Sequence, residues 1–150
     1  MNTNPPVEVL IVEDDPYDLE MTLRGLREAR LINHIEVARD GEEALDFLFC
    51  RGAFATRSPD DRPRVVLLDL KLPKVDGLEV LAALKADTRL CTLPVVMLTS
   101  SQEQSDLVRS YRLGVNSYIV KPVGFDGFVK AVQEVGMYWM LLNQPPARGA

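Results

Sequence analysis

The sequence predicts an α/β domain in which five parallel strands alternate with five helices. Short apolar runs recur along the chain, and after each of them the apolar residues change to helical spacing. Strands that alternate with helices in this way form a parallel sheet, with helices covering both of its faces. The length of 150 residues fits one such domain, because domains most often have about 100–150 residues.

The first two strand–helix units lie in the first third of the chain. The first predicted strand is Val7–Val12. Pro16 begins the helix after it, because proline is favoured in the first turn, and leucines continue that helix at helical spacing. The second strand is Ile35–Ala38, Gly41 forms the turn after it, and the second helix is Glu42–Phe49.

A polar segment at residues 51–64 follows the second helix. Its sequence, RGAFATRSPDDRPR, contains two prolines and four arginines. Apolar runs resume directly after it. We therefore interpret the segment as a surface excursion that ends the second helix, and not as a linker between domains.

Three further strands and two of the remaining helices complete most of the pattern. The third strand, Val65–Leu70, is β-branched and apolar, which is typical of a strand covered on both faces. The helix after it is Gly77–Ala86. The fourth strand, Pro94–Leu98, is followed by a Thr-Ser-Ser run whose hydroxyls suit an N-cap for a helix at Gln102–Leu113. Tyr118–Val120 is the fifth strand.

The last helix is predicted from about Phe125 to Leu142, before a Pro-Pro pair. The domain would then span residues 7–143, with disordered ends at 1–6 and 144–150. Apolar residues at 4-3-4-3 spacing form a stripe on this helix that should face the core: Phe128, Val132, Val135, Trp139 and Leu142.

Right-handed crossovers and five strands in this length predict the flavodoxin-like winding, a doubly wound sheet with strand order 2-1-3-4-5. In such sheets ligands bind at the carboxyl ends of the strands, near the point where the strand order reverses. The sequence places six polar residues at that edge: Glu13, Asp14, Asp69, Thr99, Ser100 and Lys121.

The carboxylates in this group would repel one another unless cations offset their charge. Carboxylate oxygens together with water suit Mg²⁺, and Lys121 supplies an ammonium. Asp69, at the centre of the group, is the best acceptor for a phosphoryl group, whose charge the cations would offset. Asp15 is expected to cap the first helix, so we leave it out of the metal site.

Composition excludes several other classes of protein. A formal net charge of −5 is the wrong sign for a nucleic-acid binder. No run approaches the ~20 apolar residues of a membrane helix, and the N-terminus lacks the features of a signal peptide. Cys50 and Cys91 are expected to be reduced thiols, and His34 a surface residue. These features favour a cytoplasmic protein.

Four blocks in this order, LIVEDD, VVLLDLKLPKVDG, PVVMLTSS and YIVKP, resemble the signature blocks of receiver domains from bacterial two-component response regulators. The resemblance covers about residues 8–140. It implies that Asp69 is the phosphoacceptor and that a sensor histidine kinase is the partner. It also implies a Mg²⁺ site formed by Asp14, by Glu13 mainly through water, by Asp69, and by the backbone carbonyl of Lys71.

The same resemblance implies how the phosphoryl group would be sensed. Thr99 is implied as the switch hydroxyl and Tyr118 as the aromatic switch. Ser100, next to Thr99, and Lys121 would contact the phosphoryl group. The peptide bond between Lys121 and Pro122 is expected to be cis.

A narrower resemblance is to the single-domain regulators paired with bacterial phytochrome histidine kinases. It rests on the excursion at 51–64, the KLPKVDG wording and the last helix ending in MYWMLLNQPP. Such proteins often form homodimers through the last helix and a strand edge. Apolar residues on the other sides of that helix are the candidate dimer contacts: Val129, Met137, Tyr138, Met140 and Leu141.

Two other functions are less well supported. An aspartate-dependent phosphohydrolase would have a second aspartate two residues after the nucleophile, where this chain has Lys71. A nucleotide- or flavin-binding module would have a glycine-rich loop after a strand, and no G-x-G-x-x-G or Walker loop is present. We therefore expect a phosphoaccepting signalling switch that works through protein contacts, and not a turnover enzyme.

Overall fold

One sheet of five parallel strands organises the chain. The structure, a computed structural model, describes residues 7–30 and 34–144. The strand order is β2-β1-β3-β4-β5, which confirms the flavodoxin-like winding. The disorder expected at 1–6 and, apart from residue 144, at 144–150 lies outside the described residues. The strands are β1 (Val9–Val12), β2 (Ile35–Ala38), β3 (Val65–Leu68), β4 (Val95–Thr99) and β5 (Ser117–Val120).

Helices cover both faces of this sheet, and side-chain caps fix where several of them begin. The carboxylate of Asp15 accepts hydrogen bonds from the backbone N–H groups of Tyr17 and Asp18, so Asp15 caps the first helix as expected. Asp76 caps the third helix in the same way. The helices are α1 (Pro16–Ala29), α2 (Gly41–Leu48), α3 (Gly77–Ala86), α4 (Gln104–Leu113) and α5 (Phe125–Met137).

The core forms two layers, one on each face of the sheet. Helices α2 and α3 pack on one face, and α1 and α5 pack on the other. All residues of β1, β3 and β4 are buried, as expected for strands covered on both faces. The contact between α1 and α5 is close, because a Cβ added at Gly25 would lie 2.7 Å from the backbone oxygen of Val129.

Helix α4 begins two residues later than the sequence suggested. Its N-cap is Glu103, whose side chain makes no capping bond. The Ser101 hydroxyl instead accepts a hydrogen bond from the Glu103 N–H at 3.3 Å and donates to Asp106 at 2.7 Å. The Ser101 hydroxyl therefore organises the turn before the helix without being its N-cap.

The last helix changes its geometry near its end. After Met137 it continues as a π-helix at Tyr138–Leu142, and the Asn143 N–H bonds to the carbonyl of Tyr138 at 2.8 Å. This wider turn shifts which side chains face inwards. Met140 is buried and Leu142 is exposed, so the predicted stripe is wrong at its last position.

The excursion at 51–64 is polar, yet two of its arginines attach it to the rest of the fold. The Arg57 guanidinium lies 3.6 Å from the centre of the Phe47 ring and donates to the Phe47 carbonyl. The guanidinium of Arg62, which is buried, donates to the carbonyl of Arg89 and to the Thr92 hydroxyl. Among the described residues, no helix is long and apolar enough to cross a membrane.

Candidate functional site

The carboxyl ends of four neighbouring strands bring together residues that are far apart in sequence. Glu13 follows β1, Asp69 follows β3, Thr99 ends β4 and Lys121 follows β5. Backbone hydrogen bonds continue the sheet through these positions, from Asp69 N–H to the Val12 carbonyl at 3.0 Å and from Lys121 N–H to the Thr99 carbonyl at 2.7 Å. The sheet therefore fixes the backbone that carries the predicted site.

The ammonium of Lys121 is at the centre of this cluster. Its Nζ lies 2.6 Å from Glu13 Oε1, 2.7 Å from Asp18 Oδ2 and 3.2 Å from Asp69 Oδ2. Three carboxylates use all three N–H donors of the ammonium. The Lys121 side chain is 5% exposed and that of Glu13 is 4% exposed, so this pairing offsets the cost of burying their charges.

Asp18 is the member of this cluster that the sequence analysis missed. It lies in the first turn of α1, three residues after the capping Asp15. A helix that starts at the carboxyl end of β1 directs its first turn towards the site. The sequence signal for this role is an acidic residue in the first turn of the helix that follows the acidic run.

Burial and charge shift the pKa values of both partners in this pair. Burial, together with the neighbouring Asp69, raises the pKa of Glu13 from its usual value near 4.5 to about 8, although Lys121 acts in the opposite direction. Burial alone would lower the pKa of Lys121. Its hydrogen bonds to Asp18 and Glu13 and the charge of Asp69 outweigh burial and raise it. Lys121 is therefore a permanent cation at neutral pH.

The raised pKa of Glu13 predicts how the stability of the metal-free protein depends on pH. Between about 4.5 and about 8 the folded state keeps a proton that the unfolded state loses, so the free energy of unfolding should fall as pH rises. Urea unfolding in EDTA at several pH values measures this. The Glu13→Gln variant should show a clearly smaller fall, and an unchanged slope in that variant would refute the assignment to Glu13.

The acidic residues have the donor set of a divalent-cation site. Ligand oxygens of Glu13, Asp14 and Asp69 lie within 4.8 Å of one another, and carboxylates are ligands that Mg²⁺ prefers. Asp14 is exposed, so an ion could enter from solvent. The group borders an open cleft of about 530 Å³ that Lys71 also lines. The role of the Lys71 carbonyl as a metal ligand stays a prediction.

The predicted hydroxyl and aromatic residues meet next to this cleft. Thr99 and Ser100 line it. Thr99 is buried, and its hydroxyl oxygen accepts a hydrogen bond from the Ser101 N–H at 3.2 Å. The Tyr118 hydroxyl donates to the Ser101 carbonyl at 3.0 Å. Burial raises the pKa of Tyr118, so its hydroxyl keeps its proton. Ser101 thus connects Thr99 to Tyr118, and the buried carboxylate of Asp106 holds the Ser101 hydroxyl.

One backbone expectation at the site is wrong. The peptide bond between Lys121 and Pro122 is trans, since the described residues contain no cis peptide bond. The trans isomer is the lower-energy form of a bond to proline, by about 0.5–1 kcal/mol.

Gly77 lies against the backbone of Asp69. Its N–H donates to the Leu70 carbonyl at 2.8 Å. A Cβ at this position would overlap the carbonyl oxygen of Asp69 and would lie 2.7 Å from the Leu70 Cα. The start of α3 therefore touches the backbone of Asp69 itself. This close approach requires a residue without a Cβ, which explains the glycine eight residues after Asp69.

A family comparison identifies the arrangement. The model of the response regulator receiver domain matches residues 9–133, which include every strand of the sheet and every residue of the cluster. The chain belongs to the response regulator receiver domain family. This confirms the resemblance carried by the four sequence blocks.

Related proteins are similar over nearly the whole chain. Response regulator Rcp1 of Synechocystis sp. is 38% identical over 145 residues, which cover 97% of each protein. The crystal structure of its Mn(2+)-bound form has a TM-score of 0.87 at 36% identity and covers 95% of this chain and all of that one. The receiver domain therefore resembles a relative that binds a divalent cation.

Two further solved structures are phytochrome-associated regulators. The phosphorylated cyanobacterial phytochrome response regulator RcpA has a TM-score of 0.87 at 34% identity, covering 95% of this chain and 99% of that one. The bacteriophytochrome response regulator AtBRR is 56% identical with a TM-score of 0.73, covering 94% of this chain and 100% of that one. This chain is thus similar to regulators of the subfamily that the sequence indicated.

Proposed function

We propose that this receiver domain accepts a phosphoryl group on Asp69 from a histidine kinase in a Mg²⁺-dependent transfer. The observation that carries the proposal is the position of Asp69, whose carboxylate accepts a hydrogen bond from the Lys121 ammonium and belongs to the acidic group that could hold the ion. When bound, Mg²⁺ would offset negative charge on the phosphoryl oxygens. Glu13, Asp14, Asp69 and the Lys71 carbonyl would hold it.

The transfer exchanges one bond to phosphorus for another. The bond from phosphorus to the histidine nitrogen of the kinase breaks as a carboxylate oxygen of Asp69 bonds to phosphorus. The nitrogen keeps the electron pair of the broken bond. Lys121 would exchange its longest contact, to Asp69 at 3.2 Å, for a phosphoryl oxygen, and Thr99 and Ser100 would donate to the others.

The output of the switch would pass through Thr99 and Tyr118. A phosphoryl oxygen that binds the Thr99 hydroxyl would displace the hydrogen bond that this hydroxyl now accepts from the Ser101 N–H. The Ser101 carbonyl accepts the hydrogen bond of the Tyr118 hydroxyl, so Tyr118 would respond to this change. The phosphorylated state would then shift the population of loop and ring positions and change the surface offered to other proteins. In this proposal the chain assists its own phosphorylation and dephosphorylation but is not a turnover enzyme.

A phytochrome-type kinase is the partner we propose, and the cytoplasm is the compartment. The similarity to RcpA and AtBRR supports this partner. The test incubates the purified chain with a labelled bacteriophytochrome histidine kinase and, separately, with an unrelated histidine kinase. We expect faster transfer from the phytochrome kinase and none to Asp69→Asn, whereas equal rates from both kinases would refute the phytochrome assignment.

We also propose a homodimer that uses the end of the last helix and the neighbouring strand edge. Two of the five predicted contacts need correction, because Val129 and Met140 are buried in the core with α1. Met137, Tyr138 and Leu141 are exposed and remain candidates. Sedimentation at tens of micromolar should show a dimer that Leu141→Lys weakens, and a monomeric wild type would contradict the proposal.

A further inference from the structure

We propose that Asp18 is a positioning residue that holds the ammonium of Lys121 when a divalent cation occupies the site. This inference rests on the proposed function, because it assumes that a cation binds beside Asp69. It concerns a carboxylate outside the predicted metal-binding group. Its consequence is that the affinity of the protein for Mg²⁺ depends on a residue that need not touch the ion.

Lys121 shares its carboxylate partners with the cation site. Glu13 and Asp69 each bind the ammonium, and both also belong to the group of oxygens that could hold an ion. A cation bound there would draw on the same negative charges and would repel the ammonium. Lys121 and the ion therefore compete for Glu13 and Asp69.

Asp18 is the partner of Lys121 that would not be needed to bind the ion. Its Oδ2 lies 2.7 Å from Lys121 Nζ, closer than the carboxylate of Asp69, and Asp18 is not part of the oxygen group formed by Glu13, Asp14 and Asp69. The Asp18 side chain is 21% exposed. It also sits on a capped helix, which fixes its position.

The effect of removing Asp18 has a definite sign. Without this carboxylate, the ammonium keeps only the two partners that the ion also needs, so the ion must displace it at a greater cost. Loss of one negative charge near the site acts in the same direction. We expect Asp18→Asn to bind Mg²⁺ about tenfold more weakly, within the range of coupling measured between contacting residues.

A double-mutant cycle separates the two causes. Calorimetric titration of the metal-free protein with MgCl₂ is carried out on wild type, Asp18→Asn, Lys121→Met and the double variant. Lys121→Met alone should bind Mg²⁺ more tightly than wild type, since the competing ammonium is gone. In that background Asp18→Asn should change the affinity by less than about threefold, since nothing remains for Asp18 to hold.

Asp15→Asn is the matched control. It removes the same charge three residues earlier, and asparagine caps a helix as well as aspartate does. Among the described residues, the Lys121 ammonium forms ion pairs with Glu13, Asp18 and Asp69, and not with Asp15. This substitution should change the affinity for Mg²⁺ by less than about threefold, because Asp15 is exposed and exposed charges interact weakly. Asp18→Glu, which keeps the charge, should recover part of the affinity, and urea unfolding in EDTA checks that Asp18→Asn is folded.

Two results would overturn the role of Asp18. One is an equal loss of Mg²⁺ affinity in Asp15→Asn and Asp18→Asn, which would mean that the loss comes only from the change in net charge. The other is an equal effect of Asp18→Asn with and without Lys121. If wild type binds no Mg²⁺, the proposed function fails as well. If wild type binds Mg²⁺ and accepts phosphate but the cycle shows no coupling, only the role of Asp18 fails.

Discussion

Replacing Gly77 with alanine is expected to lower phosphoryl incorporation at Asp69 by about tenfold or more and to destabilise the fold by about 1–3 kcal/mol. The added methyl group would overlap the carbonyl oxygen of Asp69 and press on the Leu70 backbone. These atoms are backbone and cannot rotate away. The loop after β3 must therefore move, and the carboxylate of Asp69 moves with it relative to Lys121.

A second glycine provides the control for this substitution. A Cβ at Gly127, in the first turn of α5, would lie 3.6 Å from the Pro122 Cβ, which is an ordinary contact. Gly127→Ala should therefore leave phosphorylation unchanged and the stability equal or slightly raised. Intact mass after incubation with acetyl phosphate and Mg²⁺ measures the first effect, and urea unfolding measures the second. Normal phosphorylation of Gly77→Ala would show that the close approach does not position Asp69.

Replacing Lys121 with methionine is expected to slow phosphoryl incorporation by about 100-fold, which is typical when a group that stabilises developing charge is removed. The same change leaves the buried carboxylates of Glu13 and Asp69 without their cation. Removing one partner of a buried ion pair costs about 3–5 kcal/mol. This cost should be largest at pH 9 and smaller at pH 6, where the raised pKa of Glu13 keeps that group protonated.

A second substitution separates the structural role of Lys121 from its role in phosphoryl transfer. Adding Glu13→Gln to Lys121→Met replaces one unpaired buried carboxylate by a neutral amide. The double variant should regain stability at pH 9, measured by urea unfolding in EDTA, but should not regain phosphorylation. Recovery of both properties would mean that Lys121 acts only by stabilising the fold.

Much of the fold could be predicted because each strand is a short apolar run followed by helical spacing. The order of the strands followed from crossover handedness, and with it the convergence of Glu13, Asp69, Thr99 and Lys121. These residues follow directly from strand ends, whose position in a parallel sheet is set by the backbone. Proximity at the sheet edge is therefore readable from sequence even across a separation of 108 residues.

The errors arise where side-chain direction depends on packing or on local helix geometry. Met140 and Leu142 exchanged their expected environments because the helix widens into a π-helix after Met137, and no residue type signals that change. Val129 was predicted to be a surface contact, but it is buried because α1 approaches α5 closely at Gly25. Asp18 was missed because its role depends on how far the Lys121 side chain reaches.

Intact mass of wild type and Asp69→Asn after incubation with a phosphodonor and Mg²⁺ tests the central claim most directly. Acetyl phosphate and a phosphorylated histidine kinase serve as two donors, each with an EDTA control. We expect wild type alone to gain one phosphoryl group, ~80 Da, and only when Mg²⁺ is present. A gain of the same mass in Asp69→Asn, or no gain in wild type from either donor, would contradict Asp69 as the phosphoacceptor.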